Sequence, residues 1–262
     1  NYNIAIGTET MMSQTSGERN VGVGYQAGRS NVGGDYNTFM GFGAGRGTTS
    51  GTYAGNTGLG YHTLYTVNTG NNNTAVGRNA LYYLDKGEKS VAVGNSAGYY
   101  ATGSYNTFVG TDAGLGGTTS APYSSGTQNV AMGYEALKGF TTGTNNIAIG
   151  YQASVALTTA TMTVTIGYLA GNSITTGGTN IMIGREAGKN ISTTTSNVII
   201  GNRAGLHLGG SGADNHANRN VIIGHAAGRG DSGPSIAKGH YSVVIGDQAQ
   251  YHFKSGSQNV HI

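Results

Sequence analysis

Few side chains in this sequence have the chemistry of a site. Its 262 residues include 11 Asp and Glu, 14 Lys and Arg and 7 His, with no Cys and no Trp. Without Cys there is no disulfide framework, no thiol nucleophile and no thiolate zinc site. Glycoside hydrolysis needs two carboxyl groups about 5 to 9.5 Å apart, and the acids at comparable places are Asp112, Glu135 and Glu186. Their separation along the chain reads as solvated turn acids rather than a catalytic pair. Six His follow residue 200, namely His207, His216, His225, His240, His252 and His261, in a spacing that matches no zinc motif. The glycine-rich string from Gly41 to Gly47 lacks the Lys-Ser/Thr and the following helix of a phosphate loop. Gly228-Arg229-Gly230-Asp231-Ser232 contains the tripeptide of integrin ligands, a string that a chain with 48 Gly readily produces by chance. The net charge of +3 is too dispersed for a nucleic-acid footprint, and no apolar run approaches the ~20 residues of a membrane span. No catalytic residue, metal or cofactor is expected.

The elements that carry these residues follow from an internal repeat. Asn, apolar or Thr, variable, apolar, Gly, two further residues, then Ala recurs as NVGVGYQAG, NTAVGRNAL and NIAIGYQAS, beginning at Asn20, Asn73 and Asn146. Fifteen copies begin between Asn3 and Asn259, 12 of them with Asn and the others with Ser90, Thr163 and Ser242. Nine of the 14 intervals are 17 residues, and the motif Gly is present in all 14 copies that reach it. Seventeen residues are too few for a helix pair, and alternation across a Gly-bounded segment has the period of a strand. The fold class is therefore all-β: a parallel β-solenoid, or β-roll, of about 15 coils with a 17-residue repeat and a single repeat domain over 1–262. Two short strands per coil are expected, one before the motif Gly and one around the Ala. The Asn should form a ladder of stacked amides.

Strand alternation places the second and fourth motif residues (Val21 and Val23, Ile147 and Ile149, Val198 and Ile200) inside with the Ala. The middle residue then points outward, yet it is mostly apolar, as at Phe39, Phe108, Ile199 and Ile222. A strand apolar on both faces is buried on both, so a partner must cover it. Self-association about an axis parallel to the coils lets every layer meet its own copy, and the expected state is a side-by-side or intertwined homotrimer. Tyr25, Phe42 and Tyr61, and again Tyr134, Tyr151 and Tyr168, follow the motif Gly in successive coils and should stack, either as packing or as an aromatic platform for sugars.

The repeats NTAVGRNAL, SVAVGNSAG and NTFVGTDAG, with linkers such as TGSYN and TGTNN, resemble trimeric autotransporter adhesin heads and, more closely, repeats of trimeric phage tail fibres. The resemblance spans the chain, and a repeat longer than that of the adhesin heads favours the fibre. It implies a parallel β-roll trimer that presents loops to a receptor. The sequence begins and ends inside a motif, which reads as a segment of a longer fibre. The resulting expectation is an extracellular structural and receptor-binding segment of a virion tail fibre. Its partners would be two further copies and a cell-surface glycan or outer-membrane component, without nucleic acid or membrane insertion. A bacterial adhesin head and a polysaccharide-cleaving fibre enzyme are the alternatives. Intervals of 23, 23 and 22 residues place outward insertions at about Gly114 to Thr127, Gly205 to Arg219 and Gly228 to Tyr241. The candidate receptor-binding residues there are Tyr123, His207, Asp214, His216, Arg229, Asp231, Lys238 and His240.

Overall fold

The computed structural model describes residues 2–117, 123–208, 217–230, 238–251 and 255–262, with the side chains of 238, 239 and 255–257 left aside. It is an all-β solenoid of about 14 turns with a repeat of about 17 residues. The chain divides into two compact units, Asn1–Asn129 and Val130–Ile262. In the first, β1 (Ile4–Ile6), β2 (Val21–Val23), β3 (Thr38–Met40), β4 (Thr57–Leu59), β5 (Thr74–Val76), β6 (Val91–Val93) and β7 (Thr107–Val109) pair in chain order, all parallel. The second unit repeats the pattern with β8 (Val130–Met132), β9 (Ile147–Ile149), β10 (Val164–Ile166), β11 (Ile181–Ile183), β12 (Val198–Ile200) and β13 (Val221–Ile223). There β14 (Lys238–His240) and β16 (Ser255–Ser257) make a separate two-stranded sheet, while β15 (Val243–Ile245) and β17 (Val260–His261) continue the main one. Register is strict: Ile181 lies opposite Val198, Met182 opposite Ile199 and Ile183 opposite Ile200.

The expected second strand is absent among the described residues. The segment around each Ala is instead a run of tight turns in which alternate residues have positive φ, such as Gln26 and Gly28, His62 and Leu64, or Glu186 and Gly188. Its N–H groups bond alternately to the two flanking coils. Gln26 donates to Thr8 O at 3.0 Å and Gly28 to Ala44 O at 2.9 Å. An extended strand would run straight on, whereas alternating handedness curls the chain within a coil too short to hold a second flat side.

The motif Gly has a different task. Gly184 has φ +131°, and a Cβ there would lie 2.5 Å from the carbonyl oxygen of Gly201 in the next coil. The same close backbone contact recurs at Gly150 and Gly167, so the coils approach through bare backbone where any side chain would collide.

The Asn ladder is present and reaches further than stacking alone. Asn37 Nδ2 donates to Asn20 Oδ1 at 2.9 Å and also to Tyr53 O at 2.8 Å. Each side-chain oxygen accepts the backbone N–H of the next ladder residue, as Asn20 Oδ1 does from Asn37 at 2.9 Å. The carbonyl bond ties each strand to the return segment of its own coil, for example Asn56 to Gly70 at 2.9 Å and Asn146 to Ala160 at 2.8 Å. Ser90 preserves part of this: its Oγ accepts the Asn106 N–H at 3.2 Å.

The faces of the strands are the reverse of expectation. The middle residue is the buried one, including Phe39, Ala75, Phe108, Met182, Ile199 and Ile222, all at 1% exposure or less. Val21 and Val23, Ile147 and Ile149, and Val198 and Ile200 point outward and are half-buried or exposed. The motif Ala lies inside as expected, with Ala27, Ala153 and Ala204 fully buried. An apolar outward face does exist, formed by the flanking residues rather than the middle ones. Substituting Ile199 or Ile222 would therefore disturb the coil interior.

Candidate functional site

The acids that sequence spacing grouped occupy one kind of position, a turn residue of positive φ: Asp112, Glu135 and Glu186. In the second unit Glu135 accepts bonds from Lys138 Nζ and Gln152 Nε2, both at 2.6 Å. Glu186 is held by Lys189 at 3.2 Å and by Arg203 Nε at 2.8 Å. The Lys138 bond foremost lowers the Glu135 carboxyl, and the Arg203 bond foremost lowers that of Glu186, against the opposing effect of burial. A general acid for glycosidic cleavage needs the opposite shift. These carboxylates brace successive turns.

Of the candidate residues, Tyr123 belongs to the first unit and His207, Arg229 and His240 to the second. Asp214, His216 and Asp231 lie outside the described residues, as does the Lys238 side chain. His207 and Arg229 sit in adjacent coils, since the His207 N–H donates to Arg229 O at 2.8 Å. His207 Nδ1 faces Asn190 Nδ2 at 2.9 Å, and the Arg229 guanidinium bonds to the Tyr251 hydroxyl over that ring. His240 Nδ1 accepts the Asn218 N–H at 3.3 Å. Among the described residues no three His, Asp or Glu side chains group as a metal site.

Tyr123 belongs to the first unit, where the aromatic side chains converge. Tyr25, Phe42 and Tyr61 stack at 4.9 and 5.5 Å, and in the second unit Tyr134, Tyr151 and Tyr168 stack at 5.3 Å each. The first unit carries two further columns. Tyr65, Tyr82 and Tyr99 stack at 4.8 and 5.0 Å. Tyr83 and Tyr100 stack at 5.4 Å with Tyr123 packed against both, 4.3 Å from Tyr83 and 5.8 Å from Tyr100. Edge contacts join the columns, Tyr83 to Tyr99 at 5.3 Å and Tyr99 to Tyr100 at 4.6 Å. Sequence reasoning found the residues after the motif Gly and missed these columns, although Tyr65, Tyr82 and Tyr99 stand 17 residues apart.

Beside them opens a cleft of about 610 Å³ whose lining includes Tyr83, Tyr123, Asn68, Asp85 and Lys86. Loss of solvent raises the hydroxyl pKa of Tyr82 and Tyr99, and the charges of neighbouring phenols raise it further, against a hydrogen bond with Tyr83 that lowers that of Tyr99. For Tyr123 the loss of solvent is likewise the largest cause of the rise, with its hydrogen bond to Tyr83 next. The phenols therefore remain neutral well above physiological pH. No family model, curated protein or solved structure matches this chain.

Proposed function

We propose that this chain is a structural and receptor-binding segment of an extracellular homotrimeric fibre, most like a phage tail fibre that attaches to a host cell. The observation that carries the reading is the outward face of the sheet. Each strand presents two side chains there, and they are apolar or Thr from Ile4 and Ile6 to Val243 and Ile245. Val91, Val93, Met132, Ile147 and Ile181 are exposed at 37 to 41%. Within each unit, apolar surface of this kind marks an interface. A cover that matches it layer by layer must share the strand spacing, and a second copy does so by construction; three copies around one axis leave no copy of the face uncovered. The described turns would remain outside such a trimer, free to meet a receptor, and the bonded carboxylates Glu135 and Glu186 favour binding over cleavage. A bacterial adhesin head would use the same trimer, and the two readings differ in the cell that the fibre meets.

Light scattering of the unmodified chain tests the oligomer directly, with a monodisperse monomer overturning the proposal. Ile147→Asp combined with Ile181→Asp places charges on the outward face without entering the coil. The expected product is a folded monomer, because each unpaired charge buried in the interface would cost several kcal/mol. Shortening the insertions around Gly205 to Arg219 and Gly228 to Tyr241 to the 17-residue spacing tests their part in attachment: adsorption to host cells should fall while the trimer remains.

A further inference from the structure

The Tyr83–Tyr100 column of the first unit ends abruptly. Thr66 and Tyr83 are equivalent positions in neighbouring coils, since the Thr66 N–H donates to Tyr82 O as the Tyr83 N–H donates to Tyr99 O, each at 3.1 Å. One coil earlier than Tyr83, the ring column is replaced by a side chain a fraction of its size. The cleft of about 610 Å³ lies at this step, lined by Thr66 as well as by Tyr83 and Tyr123. Its volume is that of a small-ligand site.

Its polar wall is fixed in place. Asn68 Nδ2 donates to Asp85 Oδ1 at 2.6 Å and to the Thr48 hydroxyl at 3.0 Å, and Asn68 Oδ1 accepts the N–H groups of Thr48 and Thr49 at 3.1 Å each, so the amide is fully engaged within the protein. The Asp85 carbonyl accepts the Asn68 N–H at 3.0 Å, so the carboxylate and the amide are positioned from both backbone and side chain. Lys86, exposed, supplies a cation beside the anion of Asp85. The pair cancels, which disfavours a polyphosphate backbone or a strongly charged peptide. What remains is a neutral aromatic surface next to a carboxylate acceptor and an ammonium donor. A pyranose matches both, since it offers an apolar C–H face to a ring and hydroxyls to charged hydrogen-bonding groups.

We infer that this cleft binds a short neutral saccharide, its C–H face on Tyr83 and Tyr123 and its hydroxyls bonded to Asp85 and Lys86, with Asn68 holding the Asp85 carboxylate in place. The inference rests on the fibre reading for its biological setting, a surface glycan met by the fibre, while the binding itself requires only the first unit's geometry.

The test uses the full chain and tetrasaccharides of glucose, galactose, mannose and rhamnose, with binding read by saturation-transfer NMR and by the tyrosine emission of a protein that has no Trp. At least one tetrasaccharide should bind saturably. Tyr83→Ala and Asp85→Ala should each weaken that binding at least tenfold, with Asp85→Asn intermediate. Tyr151→Ala, in the stack of the second unit, should leave it unchanged. Failure of all four sugars to saturate, unchanged affinity in Asp85→Ala, or equal losses in Tyr151→Ala would each overturn the site. Asp85→Asn preserves shape, so its result stands even if Tyr83→Ala unfolds. Light scattering on the same samples separates the two proposals: a trimer that binds none of the sugars removes the site alone, and a monomer that binds one removes the fibre alone.

Discussion

The Asn ladder lends itself to a quantitative test at Asn56, which is fully buried. Its Nδ2 donates to Asn37 Oδ1 at 3.2 Å and to Gly70 O at 2.9 Å, and its Oδ1 accepts Asn73 N at 2.9 Å and Asn73 Nδ2 at 3.1 Å. Asn56→Ala removes all four bonds. The Asn73 side chain keeps its bond to Gly87 O at 2.9 Å, and Asn37 Oδ1 keeps the Asn56 N–H at 3.0 Å. The Asn73 backbone N–H is left buried with no acceptor, at a cost of about 1 to 3 kcal/mol, and the remaining bonds add about 0.5 to 1.5 kcal/mol each, less where they share an atom. The expected loss is about 3 to 5 kcal/mol. Asn56→Ser should lose roughly half as much, because a hydroxyl can accept the next N–H as Ser90 does from Asn106.

In a solenoid such a loss falls first on the coils that share the bonds, so the assay is hydrogen exchange rather than a single melting curve. Exchange of the amides around Asn73 should accelerate by two to three orders of magnitude in Asn56→Ala, at 1.4 kcal/mol per tenfold, and by about one in Asn56→Ser. Coils near Ile4 should exchange as in the parent. Unchanged exchange around Asn73 in the Ala variant would refute the argument that the ladder holds neighbouring coils together.

Two further outcomes follow from the turns and their charges. Gly184→Ala, with its Cβ 2.5 Å from the Gly201 carbonyl oxygen at φ +131°, should lower the melting temperature clearly, whereas Gly33→Ala, whose Cβ would meet only the Ser16 hydroxyl and which lacks a positive φ, should not; equal melting of the two would deny the close-approach role. The carboxyl of Glu186 lies below its ordinary value of 4.5, so its contribution is present above that value and lost as pH falls through the lowered folded one. Acid unfolding of Glu186→Gln should therefore be less steep below pH 4.5 than that of the parent, and an identical acid limb would show that the Arg203 and Lys189 bonds contribute nothing.

Much of the coil was legible in the sequence because 15 copies average out local ambiguity. The strand position, parallel pairing, Asn ladder and the buried Ala all follow from residues in register, and the Thr of the return segments share that register, with Thr141 Oγ1 donating to Thr158 O and Thr158 Oγ1 donating to Thr175 O. The turn segment was misread as a strand because positive φ at Gln26, Glu135 or Arg203 leaves no mark in residue type: these are non-Gly residues whose handedness is imposed by bonds to both flanking coils. The tyrosine cleft was half visible. Tyr123 stood out as an insertion residue, but its partners Tyr83 and Tyr100 belong to a column outside the motif, and the recess at Thr66 depends on what is missing from that column.

The inverted strand faces have a cause that the sequence does contain. The middle residue shares the coil interior with the residue six positions later, and the two compensate in size: Phe39 with Gly45, Phe108 with Gly114, Met182 with Gly188, but Gly58 with Leu64, Ala75 with Leu81 and Ala131 with Leu137. A Cβ on Gly45 or Gly114 would lie 2.2 to 2.4 Å from the Phe39 or Phe108 ring, so the exchange is steric. Where both are Gly or Ala, the neighbouring coils fill the space, as Leu81 and Phe108 do around Gly98. Close packing requires such trade-offs only between side chains that touch, and only inward-facing ones do. The outward pairs show no such trade. They stay Val, Ile, Leu, Met or Thr in every complete coil, without one charge, although an isolated chain exposes them to water. A lone solenoid would favour polar residues at these places; their uniform apolar character in each unit supports the proposal that an equally periodic partner covers this face.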